Sequence, residues 1–250
     1  MTGASRGIGA ELARAMARAG AGVVLAARDE GALARVAAEI ENEGGRAVVA
    51  PTDVSEPEAV ERLVAIALSA LGGLDIAVNN AAGGGHGPTP VAEVSPDQFR
   101  SALAISLESV FLSLKCEIPA MLESGGGAIV NMASTAGLEA VGGLAGYVAA
   151  KHGVIGLTKV AALDYARKGV RVNAIAPGPI LTERLEAAGE DAQRKAGLAM
   201  PMRRIGQPGE VASAAVWLCS DEASFVTGAT LVIDGGKLAG TPPFSAPDNG

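Results

Sequence analysis

The chain predicts an α/β domain: a doubly wound parallel sheet with helices packed on both faces. Three observations predict it. Short apolar runs alternate with amphipathic helical stretches from end to end, the rhythm of repeated βαβ units. A glycine-rich turn, Thr2-Gly3-Ala4-Ser5-Arg6-Gly7-Ile8-Gly9, leads directly into the first helix. Hydrophobic residues make up 49% of 250 residues and aromatics only 3%, so one core of Ala, Val, Leu and Ile fills a single domain.

Each element follows from its pattern. The first helix spans residues 10–19, with Leu12 and Met16 on its inner face. Gly22-Val23-Val24-Leu25-Ala26-Ala27 reads as a buried strand ending at Arg28. Residues 30–43 form a helix with Leu33, Val36, Ala37 and Ile40 at helical spacing. A strand over 46–50 ends at Asp53-Val54, and Ser55 caps a helix that carries Pro57 near its start and runs to 71. Residues 74–78 form a strand closed by Asn79-Asn80-Ala81-Ala82-Gly83. Ser95-Pro96 starts one long helix to about residue 122, its apolar face built from Leu103, Leu107, Val110, Phe111 and Leu114. A strand over 128–132, a helix over 147–167 and a strand over 170–176 follow. Pro177-Gly178-Pro179 then opens a segment of about thirty residues, 177–206, and a stretch of that length past a strand end reads as a lid or binding loop. A helix over 209–218 and a strand over 229–233 close residues 1–236, and a Pro-containing tail over 237–250 is expected to be loosely packed.

Composition excludes several classes. A net charge of −7 and a pI near 5.0 argue against nucleic acid and anionic membrane surfaces. No run is long and apolar enough to span a bilayer, and no secretory leader is expected. Cys116 and Cys219 sit in apolar helical patterns and read as reduced core thiols of a cytoplasmic protein. No His, Cys and carboxylate set has metal-ligand spacing, so no metal is expected. Ser134 lacks the Gly-x-Ser-x-Gly surroundings of a hydrolase nucleophile. His152 and His86 read as structural and loop residues, and Met16 and Trp217 as core.

The stretch with chemistry in it runs from Ser134 to Lys151. Tyr147 and Lys151 stand four apart, so on a helix their polar ends share one face. An ammonium beside a phenol favours the phenolate and lowers a pKa of about 10. A tyrosine so tuned can exchange a proton with an alcohol or alkoxide near neutral pH. Ser134, at the end of the preceding strand, is placed to hold the substrate oxygen.

Taken in order, Thr2-Gly3 through Gly9, Asp53, Asn79-Asn80-Ala81, Ser134, Tyr147 with Lys151, Pro177-Gly178 with Thr182, and Thr227-Gly228-Ala229 with Asp234-Gly235-Gly236 resemble the short-chain dehydrogenase/reductase family over residues 2–236. The resemblance implies a Rossmann sheet with the ligand at the carboxyl ends of its strands. It implies that Gly3, Ser5, Arg6, Gly7, Ile8 and Gly9 hold the dinucleotide phosphates, that Asp53 and Val54 contact adenine, and that Asn80 and Ala81 line the ribose side. It also implies Tyr147 as general acid/base, Lys151 on the nicotinamide ribose, Ser134 orienting the carbonyl, and Ile180 and Thr182, past Pro177-Gly178, fixing the carboxamide. Where an acidic residue would select NAD, Ala27 is followed by Arg28, and with Arg6 in the first turn two guanidiniums stand ready for a 2′-phosphate. The expected cofactor is therefore NADP(H), the alternative being NAD(H) with Arg28 a solvated surface residue. The wide apolar faces of residues 96–122 and 147–167 pair subunits in this family, which implies a homotetramer, with a dimer as the alternative. Leu138, Val141 and the 183–202 lid suggest a modest, fairly apolar carbonyl or secondary-alcohol substrate: a 3-oxoacyl thioester, a cyclic ketone, a sugar or a polyketide intermediate. The rival readings are a dinucleotide-binding sensor without turnover and an inactive truncated product.

Three features depart from the family pattern. Ser106 stands where an Asn usually anchors a relay water behind the lysine, and Ala82 stands where glycine is usual. The first central strand is absent. Losing about six buried apolar side chains at roughly 1.5–3 kcal/mol each would rival a net stability of about 5–15 kcal/mol. The natural start is therefore expected upstream of Met1.

Overall fold

The computed structural model describes residues 1–83 and 85–240. All six expected strands form: β1 Gly22–Ala27, β2 Arg46–Pro51, β3 Ile76–Asn79, β4 Gly127–Met132, β5 Val170–Pro177 and β6 Thr230–Ile233. Every pairing among them is parallel. The intervening helices are α1 Gly7–Arg18, α2 Glu30–Asn42, α3 Pro57–Leu71, α4 Pro96–Leu103, α5 Ser109–Glu123, α6 Ala145–Tyr165, α7 Glu183–Ala187, α8 Glu190–Leu198 and α9 Pro208–Cys219.

The two-residue alternation of strand side chains divides the core. Val23, Leu25, Val78 and Val130 point to one face, where Leu12 and Met16 of α1, Leu33, Val36 and Ile40 of α2 and Val211, Ala215 and Leu218 of α9 bury them. Ala77, Ile129, Val172 and Ala174 point to the other, against Val110, Leu114, Ile118 and Met121 of α5 and Val154, Ile155 and Ala162 of α6. Each fully buried Leu, Ile or Val stabilises this packing by about 1.5–3 kcal/mol.

The sheet is split in two. β1 and β2 form a two-stranded sheet, and β3-β4-β5-β6 form a separate four-stranded one. Among the described residues, the first four carry backbone hydrogen bonds between them. The Met1 amine donates to Val24 O at 3.0 Å. Ala26 N donates to Met1 O at 2.9 Å, Thr2 N to Val78 O at 3.0 Å, and Ala4 N to Ala26 O at 3.1 Å. Behind this stub an apolar cavity separates Val23 and Val24 of β1 from Ile76 and Ala77 of β3, with Val60, Leu63 and Ala67 of α3 along its wall. Glu117 of α5 also borders it; burial pushes this carboxyl up to about 7, while a hydrogen bond from Asn79 Nδ2 at 2.9 Å favours the ionised form.

Several expectations need correction. Ser55 does not cap α3: its N–H and hydroxyl both donate to Asp53 Oδ1, at 3.0 and 2.7 Å, and the N-cap is Glu56 with Pro57 following. The long helix from Ser95 starts as expected, with a reciprocal Ser95–Gln98 capping box, but a π-helical turn over Ala104–Glu108 divides it into α4 and α5. Trp217 is not core. Val211, Ala215 and Leu218 define the buried stripe of α9, and Trp217, about 200° from Ala215, is 39% exposed. Cys116 and Cys219 are half-buried free thiols. The 177–206 segment contains two short helices, α7 and α8. Residues 237–239 are not loose, because Leu238 N donates to Asp234 Oδ2 at 2.8 Å and Lys237 pairs with Glu139. The rest of the expected tail, 241–250, lies outside the described residues.

Candidate active site

Parallel strands deliver their carboxyl ends to one edge, and the expected site residues follow those ends: Gly3 to Gly9 after the Met1–Thr2 stub, Arg28 after β1, Asp53 after β2, Asn80 after β3, Ser134 after β4, and Gly178 after β5. The first turn is clamped to the β3 end by Thr2. Its hydroxyl accepts from Asn80 N at 3.0 Å and Ala81 N at 3.1 Å. Asn80 Nδ2 returns the contact by donating to Gly3 O at 3.1 Å. Gly9 has no room for anything larger: a Cβ there would lie 1.9 Å from Gly3 O and 2.6 Å from Asn80 Nδ2. This cradle of close-packed backbone ahead of the α1 N-terminus fits a diphosphate, which needs bare N–H groups rather than side chains. Ser5 and Ile8 are half-buried along it and Arg6 is exposed.

Asp53 and Val54 follow the carboxyl end of β2. Val54 is buried against Val60 and Leu112 with Ala81 packed alongside. Hydrogen bonds from Ser55 hold the Asp53 carboxyl below the usual carboxylate range, with the Arg28 charge a smaller cause. Arg28 itself is exposed just past β1. The next residue, Asp29, has one carboxylate oxygen committed to α2, accepting from Ala32 N at 2.9 Å.

Tyr147 and Lys151 share one face of α6, as their spacing requires. The Lys151 amine lies 5.8 Å from the centroid of the Tyr147 ring. It is buried, 1% exposed, and donates to Met132 O at the end of β4 at 2.6 Å. That bond draws the middle of α6 onto the strand leading to Ser134. Burial pushes the Lys151 ammonium down from 10.5 to about 8, so it still carries its charge at neutral pH. Ser134 is half-buried, and its hydroxyl accepts from Ala136 N at 3.1 Å, an arrangement that lets its own O–H donate elsewhere.

Ser106 is fully buried in the π-helical turn and works on the loop after β3. Its hydroxyl donates to Gly83 O at 3.0 Å and accepts from Gly83 N at 3.4 Å. The loop with Ala82 in place of glycine is thus held at Gly83. Beyond β5, Gly178 N donates to Ile233 O at 2.9 Å, Pro177 closes the strand, buried Ile180 bridges to Gly206, and Thr182 is the N-cap of α7.

Two further features are functional in placement but escaped the sequence reading. Glu183, next to Thr182, accepts from Gly7 N at 3.0 Å and so reaches the cradle from the lid. Beneath the site a buried polar chain ties four elements together. Asn79 Nδ2 donates to Glu117 and, at 3.0 Å, to Asn131 Oδ1, and Asn131 Nδ2 donates to Thr158 Oγ1 at 3.0 Å. Polar residues at apolar strand positions, Asn79 and Asn131, are the signal for it.

With this geometry in place, comparison with known proteins is specific. A family model described as enoyl-(acyl carrier protein) reductase matches residues 3–237. The chain is 44% identical over 235 residues to the cyclohexanol dehydrogenase of Acinetobacter sp. (strain SE19), covering 94% of this chain and 92% of that one. It is 45% identical over 247 residues to the 2,5-dichloro-2,5-cyclohexadiene-1,4-diol dehydrogenase of Sphingobium indicum, covering 96% of each. Among solved structures, a short-chain type dehydrogenase/reductase from Mycobacterium marinum matches with a TM-score of 0.89 and 34% identity, over 96% of this chain and 94% of that one.

Proposed function

The chain belongs to the short-chain dehydrogenase/reductase family, and from that premise we propose that it is an NADP(H)-dependent oxidoreductase of a small, mainly apolar cyclic ketone and its secondary alcohol. The observation that carries the reading is the buried Lys151 amine 5.8 Å from the Tyr147 ring at the strand edge that also bears the cradle.

The dinucleotide, when bound, supplies or accepts the hydride. Gly3 to Gly9 would hold its phosphates, Asp53 and Val54 its adenine, Asn80 and Ala81 its ribose side, and Pro177, Gly178, Ile180 and Thr182 its nicotinamide end. Tyr147 holds the proton at its phenolic oxygen, giving it to the substrate oxygen in reduction and taking it back in oxidation. Lys151 keeps a positive charge beside that phenol. Its bond to Met132 O fixes where the charge sits. Ser134 donates to the substrate oxygen. Ser106 acts through Gly83 by fixing the loop beside the site.

NADP(H) is favoured over NAD(H) by three neighbours. Ala27 at the end of β1 offers no carboxylate, Arg28 beyond it is exposed, and Asp29 is partly occupied as the cap of α2. The cyclic substrate is suggested by two relatives, the cyclohexanol and 2,5-dichloro-2,5-cyclohexadiene-1,4-diol dehydrogenases. Exposed Phe111 on α5 and Val160 and Leu163 on α6 support burial of these helices between subunits of a homotetramer. Among the described residues no helix is long and apolar enough to cross a membrane, and a cytoplasmic location is part of the same proposal.

The test is a panel of cyclic ketones and alcohols with NADPH and NADH, run on the wild type and Tyr147→Phe. The expected result is turnover with at least tenfold higher kcat/KM for NADPH, and loss of turnover with retained NADPH binding in the variant. Equal efficiency with NADH removes the cofactor assignment. Unchanged behaviour of the variant favours a sensor over an enzyme.

A further inference from the structure

The N-terminus of α1 has no cap of its own. Arg6 at the N-cap makes no side-chain hydrogen bond to the helix, and the first turn contains no acidic residue. Free N–H groups at a helix start, with the positive end of its dipole behind them, draw in an anion. The anion found there comes from the chain itself. Gly7 N donates to Glu183 Oε1 at 3.0 Å, across 176 positions of sequence. The fit is close on both sides: a Cβ added to Gly7 would lie 3.2 Å from Glu183 Oε2 and 3.3 Å from Thr182 Cγ2. Glu183 is the first residue of α7, so the carboxylate is carried by the lid segment rather than by the cradle.

We propose that Glu183 is an internal competitor for the phosphate site, so that dinucleotide entry and withdrawal of the lid carboxylate from α1 are one event. The inference rests on the dinucleotide reading above. A diphosphate and a carboxylate cannot accept from the same N–H, and two anions held at one helix end repel each other. Part of the cofactor's affinity is therefore spent on displacing Glu183. The displacement also moves the segment that holds Thr182 and α7, linking phosphate recognition to the arrangement of the lid.

The experiment measures the dissociation constant of NADPH by nucleotide fluorescence, and that of inorganic pyrophosphate by competition, in wild type, Glu183→Gln and Glu183→Ala. Glu183 is exposed, so neither substitution opens the core. Removal of the charge is expected to tighten both ligands about fivefold or more, with the difference between wild type and variants shrinking at high salt. Unchanged or weaker binding in both variants, with wild-type NADPH binding intact, overturns this inference and leaves the dinucleotide reading standing. Failure of all three proteins to bind NADPH or NADH overturns the dinucleotide reading and this inference together.

Discussion

At the residue scale, the chemistry depends on one ammonium kept in a dry place. Lys151 is expensive to bury as a cation: its pKa falls from 10.5 to about 8, which corresponds to a cost on the order of 3 kcal/mol in the charged form. The direction is set by proton binding. Between about 8 and 10.5 the unfolded chain holds the proton that the folded chain has lost, so this residue's contribution to stability rises with pH across that window. The charge that serves Tyr147 is lost over the same range. We therefore expect carbonyl reduction in the free enzyme to decline above about pH 8 while the melting temperature gains a contribution from this group. Lys151→Met should remove that stability gain and lower kcat by about 10²-fold or more. A pH profile of kcat/KM together with thermal melts checks both, and a wild-type rate constant up to pH 10 would sink the argument.

At the element scale, the spacing of apolar residues located the helices and strands, because their periods of 3.6 and 2 follow from backbone geometry alone. The interruption of the long helix was not legible. The π-helical turn over Ala104–Glu108 carries buried Ser106, whose hydroxyl reaches Gly83, a contact between residues 23 apart. Removing the hydroxyl takes away a hydrogen bond to the exposed Gly83, where water can replace the donor, a loss of about 0.5–1.5 kcal/mol. Ser106→Ala is therefore expected to lower the melting temperature by several degrees and to raise KM for the carbonyl more than it lowers kcat. Circular dichroism and steady-state kinetics test this. A variant with wild-type melting and KM would show that the bond does not hold the loop.

At the scale of the whole molecule, the split sheet dominates. β1 and β3 face each other across an apolar cavity and stay in separate sheets, with the short segment Met1–Ala4 between them bonding Val24 and Ala26 of β1 and Val78 of β3. Unpaired parallel edges beside apolar side chains are a receptor for one more strand. Six β-branched residues joined ahead of Met1 are expected to fill the cavity and raise the melting temperature by more than about 10 °C. Joining six Gly-Ser residues instead should do little, and equal melting of the two extended proteins would show that the cavity is not a strand site.

Local patterns in the chain were enough for the six strands and the helices between them apart from the π-helical turn, α7 and α8, for the cradle at Gly3 to Gly9, and for the pairing of Tyr147 with Lys151. Each rests on local spacing or on glycine where backbone must approach backbone, as the 1.9 Å clearance at Gly9 requires. Only the tertiary structure decided that Glu183 occupies the α1 N-terminus, that Ser106 pins Gly83, and that Lys151 is dry enough to titrate near 8. Those outcomes depend on which distant segments exclude water from the same place. No residue spacing along the chain records that, because burial and charge proximity belong to packed space.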